Sequence, residues 1–60
     1  LDAGENRARG MLLARLGRHD ESADQLEEYL RLAPDAADQE RVRQMIAELR
    51  RGQPPAEEPE

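Results

Sequence analysis

The sequence predicts an all-α fold of three helices. Two observations carry that reading. Apolar residues recur at three- and four-residue spacing in three successive runs, the signature of helices with one buried face. Gly17 and Pro34 separate the runs and Gly52 follows the last, all residues that stop a helix. The connections are short, which makes sequential helices antiparallel neighbours. We place a helix pair in residues 3–36, a third helix in 37–51, and a tail in 52–60.

The first helix is expected to start at Asp2, which has capping-box spacing with Glu5. Its apolar positions, Ala8, Met11, Leu12, Leu13, Ala14 and Leu16, cover a wide face and imply packing on more than one side. Gly10 sits in its interior, where glycine costs about 1 kcal/mol against alanine. Such a glycine has a packing reason, here the close approach of a neighbouring helix. Gly17 supplies the left-handed stop.

Asp20 is the expected N-cap of the second helix, whose apolar face is Ala23, Leu26, Leu30 and Ala33. Glu21, Asp24, Glu27, Glu28 and Arg31 fall outside that face, and Pro34 ends the helix. Asp35 or Asp38 is expected to cap the third helix, with Val42, Met45, Ile46 and Leu49 as its stripe. Gln39, Glu40, Arg43, Gln44 and Arg50 are expected to face water. Arg50 and Arg51 place positive charge in the last turn, where the helix dipole favours it, and Gly52 follows. The remainder, QPPAEEPE, has three Pro, three Glu and no large apolar residue, and reads as a disordered acidic tail.

Composition bounds the function. Sixty residues with Tyr29 as the single aromatic must build their core from Leu, Ala, Met, one Val and one Ile. A chain of this size buries only about 60% of its unfolded surface, so its stability is marginal without a staple or a partner. The absence of Cys excludes a disulfide, a Cys-rich metal site and a Cys nucleophile, and fits a reducing compartment. A net charge of −5 argues against a nucleic-acid binder, which would carry a basic patch. No apolar run approaches the ~20 residues that span a bilayer. All nine basic residues are Arg, which we read as the composition of a GC-rich bacterial genome. With no signal-peptide pattern, the expected location is the bacterial cytoplasm. The chain opens on Leu1 rather than Met, so its first residue reads as a cut, with more chain expected upstream.

Three groups of residues invite a chemical reading. His19 with Asp20 and Asp24 falls short of the three or four ligands a zinc site needs, so His19 is expected to pack in the turn. Glu27 and Glu28 are adjacent and point about 100° apart on a helix. Nothing apolar surrounds them to raise a pKa, so they read as a solvated face. Arg7, Met11 and Arg15 share one face at i, i+4, i+8. Opposite-charge pairs at helical spacing, such as Glu28 with Arg31 and Glu40 with Arg43, account for much of the charge. The sequence therefore predicts no catalytic residue, no metal and no cofactor.

Gly10, Leu13 one turn on, Gly17 at the turn, Leu26 in the second helix and Pro34 after it stand in a familiar order. On these residues the pair of residues 3–36 resembles a tetratricopeptide repeat. The resemblance implies a right-handed solenoid fragment whose packing residues are Gly10, Leu13, Gly17, Leu26, Leu30 and Pro34. It implies a protein or peptide partner, or neighbouring repeats, rather than a substrate. First helices line the peptide groove in that family, which makes Arg7, Met11 and Arg15 the candidates for it. Arg7 could there hold an acidic peptide, or simply bridge to Glu5 or another carboxylate. Met11 departs from the Asn of chaperone-tail binders. Asn6 stands in place of a Trp or other large residue, Arg9 of a Leu, Ser22 and Tyr29 of Ala, and His19 of an aromatic.

Residues 9–49 also look like the C-terminal segment of bacterial transglutaminase-like proteins that end in such repeats. That resemblance implies a last repeat followed by a capping helix. It brings no activity with it, because that family's Cys/His/Asp site is missing here. A terminal repeat needs a polar outer face, which the third helix supplies, while Leu1, Leu12 and Leu13 suggest a face that meets a preceding repeat. The expected function is a non-catalytic protein-interaction module. The alternatives are an accessory domain of a transglutaminase-like enzyme and a three-helix protein that forms a homodimer through its first helix.

Overall fold

A computed structural model describes residues 2–52. The tail expectation for 53–60, and any role for Leu1, lie outside the described residues. The fold is all-α: α1 (Ala3–Arg15), α2 (His19–Leu32) and α3 (Gln39–Arg50). Pairing distances in sequence show that neighbours are antiparallel. Asn6 meets Gln25 and Gly10 meets Ser22 across α1 and α2, while Tyr29 meets Asp38 and Asp24 meets Arg50 across α2 and α3. The middle helix, α2, is the one on which both others chiefly pack.

The core follows the sequence stripes. Ala23, Leu26, Tyr29, Val42 and Leu49 are buried, with Met11, Leu30, Ala33, Met45 and Ile46 packed against them. Gly10 is the contact point of α1 with α2. A Cβ there would lie 2.8 Å from Leu26 Cδ2 and 2.9 Å from Leu26 Cγ. The missing side chain also lets the Ser22 hydroxyl, fully buried, donate to the Gly10 carbonyl at 2.7 Å. A buried hydroxyl needs such a partner, and here it locks the register of the pair.

The helix stops are those expected. Gly17 and Gly52 have φ of 79° and 78°, a region that L side chains avoid. α2 ends at Leu32, two residues before Pro34. The starts differ from expectation in three places. Asp2 does cap α1, but it accepts from the Gly4 amide at 3.2 Å rather than closing a box with Glu5. Asp20 is not the cap of α2. The helix begins one residue earlier at His19, with Arg18 at the cap position and no side-chain cap bond. Asp20 thus falls in the first turn, where its charge still suits the dipole. Asp38 stands at the cap position of α3, yet its carboxylate makes no cap bond. It is occupied elsewhere, as described below.

The packing differs from expectation on the outer side of α1. Ala8 is exposed, and Leu12 and Leu16 keep 56% and 61% of their surface in water. The wide apolar face expected of the first helix is therefore split. One side meets α2 through Gly10, Ala14 and Met11, and the other is uncovered.

Candidate interaction surface

Two polar assemblies and one open face distinguish this three-helix unit. The first assembly centres on Asp38. Its Oδ1 accepts from the Tyr29 hydroxyl at 2.6 Å and its Oδ2 from Arg7 Nε at 2.8 Å. One carboxylate thus joins α1, α2 and the start of α3. The Tyr29 hydroxyl bond and then the Arg7 contacts hold the Asp38 carboxyl below its ordinary value of 3.8. The same hydrogen bond, with desolvation, raises the Tyr29 phenol above 10.0. This fixes the fate of the Arg7–Met11–Arg15 face. Arg7 turns its Nε to Asp38 rather than to Glu5, Met11 packs half-buried on the core, and Arg15 is exposed.

The second assembly centres on Arg50. It is exposed, as expected, but it is paired: its guanidinium lies 2.9 Å from Asp24, 3.1 Å from Glu27 and 3.8 Å from Asp20. Three carboxylates of α2 therefore gather on one cation of α3, and Asp24 and Glu27 are not simply wet. The hydrogen bonds to Asp24 and then Glu27 raise the Arg50 pKa above its ordinary value. Gln39, also expected to face water, donates to the Pro34 carbonyl across the loop. Arg18 pairs with Glu21 and Arg31 with Glu28 on the surface of α2, and Arg43 with Glu40 on α3. The Arg31 hydrogen bond lowers the Glu28 carboxyl from 4.5. His19 is half-buried at the start of α2, and among the described residues no group of three or more His, Cys, Asp or Glu is placed to hold a metal.

The open face lies on α1, away from Met11 and Ala14, which pack on the core. Arg9, Leu12, Leu13 and Leu16 follow i, i+3, i+4, i+7 spacing and form one stripe along α1. At its lower end a groove of about 520 Å³ runs between the two helices, walled by Arg9, Gln25, Glu28 and Leu32 over Asn6. Leu32 is 41% exposed at the groove edge. Asn6 is only 6% exposed, and its Nδ2 donates to Gln25 Oε1 at 3.3 Å. Its Oδ1 is buried with no hydrogen-bond partner. A buried carbonyl without a donor costs about 1–3 kcal/mol, so this atom is an anomaly that needs a reason. The packing residues sort accordingly. Gly10 and Leu26 meet in the interior, Leu30 is half-buried on the core, Gly17 and Pro34 shape the turns, and Leu13 is half-buried on the open face.

No protein-family model, no curated protein and no solved structure matches this chain. Among the described residues no helix is long and apolar enough to cross a membrane.

Proposed function

We propose that this chain is a non-catalytic interaction module: a terminal tetratricopeptide-type repeat, α1 and α2, with α3 as its cap, working in the bacterial cytoplasm. The observation that carries the reading is the asymmetry of the helix pair. One side is covered by α3, whose Val42 and Leu49 are buried and whose outer residues are Arg, Glu and Gln. The other side leaves Leu12, Leu16 and Leu32 in water. A repeat that stacks needs a continuing side of this kind, and a cap needs a polar exterior. The carboxylates support the non-catalytic part of the reading, because Asp38, Asp24, Glu27 and Glu28 are each neutralised by Arg in a structural pairing.

The test is a fusion. A designed consensus tetratricopeptide helix pair is joined ahead of Leu1, and the product is melted by circular dichroism. Stacking gives one cooperative transition above that of the isolated chain, and the double substitution Leu12→Ser/Leu16→Ser returns the chain to its isolated melting temperature. Two independent transitions in the unsubstituted fusion would sink the proposal.

A further inference from the structure

We infer that Asp38 is a two-position carboxylate that couples α1 to the start of α3. In the position described above it clasps Arg7 and Tyr29. In the other it releases both and caps α3. A movement of α1 that withdraws Arg7 therefore tightens the first turn of α3.

Three observations carry this. The first is the cap that is not made. Asp38 stands at the N-cap position of α3, where aspartate is among the favoured residues, yet α3 has no side-chain cap bond. The first amides of a helix find no partner within it, so a stabilising interaction is held in reserve there. The same chain shows the form it takes. Asp2, at the cap position of α1, accepts from the Gly4 amide with its Oδ1. The counterpart in α3 is the Glu40 amide, two residues after Asp38.

The second is how little separates the two positions. Asp2 caps from φ −77° and ψ 134°, whereas Asp38 sits at φ −98° and ψ 21°. The main difference is one backbone rotation, about ψ of Asp38. The Asp38 carbonyl accepts from the Val42 amide at 2.9 Å and keeps that bond, because an N-cap residue makes it too. The bond given up is from the Gln39 amide to the Ala36 carbonyl, at 3.3 Å already longer than such bonds usually are.

The third is balance. The Arg7–Asp38 pair leaves 44% and 26% of the two side chains in water, and pairs open to water contribute little. The Tyr29 hydroxyl adds a second hold, which makes the clasp the resting position. A cap is worth about as much as either hold alone, so removing one hold brings the two positions level. α3 packs on α2 through Val42 and Leu49, so the carboxylate can leave α1 without lifting the helix from its neighbour.

The experiment reads amide exchange by NMR in the full chain at Glu40 and Arg41, the two amides that a cap at Asp38 reaches. Arg7→Met keeps the apolar stem and removes one hold. Tyr29→Phe keeps the buried ring and removes the other. Each is expected to slow exchange at Glu40 or Arg41 about twofold, and the double variant about fivefold, as the population moves to the capped position. Adding Asp38→Ala should return exchange to that of the parent. Arg15→Met, an exposed position one turn beyond Met11 on α1, should leave α3 unchanged. Simple loss of a surface pair gives the opposite sign, with exchange unchanged or faster. That outcome in the single variants or the double variant overturns the inference. So does slowing that survives Asp38→Ala, or equal slowing by Arg15→Met. The single variants decide the matter even where the double variant melts too low to measure.

Discussion

Replacing Gly10 by alanine should destabilise this protein, although alanine is the better helix former. The added Cβ would sit 2.8 and 2.9 Å from two carbons of Leu26 and 3.4 Å from Gln25 Cβ. Carbon pairs are comfortable at about 3.5–4.0 Å, so the helices must part or Leu26 must move. Leu26 is fully buried, so any movement of it pushes on packed neighbours. Helix propensity favours the substitution by about 1 kcal/mol, whereas overpacking costs about 1–3 kcal/mol. Parting the helices also stretches the Ser22–Gly10 hydrogen bond, a further loss of up to ~1 kcal/mol. The balance is a net loss of about 1–2 kcal/mol, which for a domain this small lowers the Tm by about 5–15 °C. Thermal melting by circular dichroism reads it directly. Gly4→Ala is the control, because a Cβ there meets nothing closer than 3.6 Å. It should leave stability unchanged or slightly raised. Combining Gly10→Ala with Leu26→Ala should cost less than the sum of the single effects, since the new methyl then has room. A neutral or stabilising Gly10→Ala, or strict additivity in the double variant, would refute the close-contact argument.

Other expectations follow from the polar assemblies and turns. Asp38 has a depressed folded pKa, so its contribution is fully present above the ordinary value of 3.8 and is lost as pH falls through the folded one. Asp38→Asn should flatten the acid limb of a stability–pH curve below 3.8, and an unchanged limb would remove this carboxylate from the account. Arg50→Met should lower Tm at low salt but little at about 1 M salt, where exposed pairs are screened to a Debye length of ~3 Å. A salt-independent difference would mean that Arg50 acts by packing instead. Gly17→Ala forces an L side chain into φ of 79° and should cost about 1–2 kcal/mol. Equal denaturant midpoints for it and the parent would deny the left-handed stop its role.

Spacing made most of the helix pattern legible. Leu26, Val42 and Leu49 sit where three- and four-residue periodicity puts them, and Gly17 and Pro34 end helices where single-residue stereochemistry requires. Gly10 was readable for the same reason, as an interior glycine that needs a neighbour. What sequence could not display is competition for side chains across helices. Asp38 has the local look of a cap, but Arg7 and Tyr29 lie 31 and 9 residues away and take both of its oxygens. Arg50 reads as a dipole-stabilising last-turn charge until antiparallel packing brings three α2 carboxylates beside it. The open face was half legible. Leu12 and Leu13 announced an apolar side, but Asn6 is a polar residue whose burial only the approach of α2 produces. Leu16 was legible as part of that side, whereas Leu32 is the last residue of α2 and falls outside its expected face.

The position of α2 between its neighbours has a consequence for how the chain breathes. Its contacts are all with elements adjacent in sequence, so the pairs close short loops and form quickly. Either outer helix can lift away while α2 keeps the other, and the Asp38 carboxylate is the clasp that opposes both openings. Slow amide exchange should therefore concentrate in α2, with α1 and α3 opening first as separate cooperative units. A helix seated on Leu12 and Leu16 would turn α1 from an outer helix into an inner one. The exchange rates of α1 would then fall towards those of α2 while α3 stayed as it was, giving docking a signature written in the backbone itself.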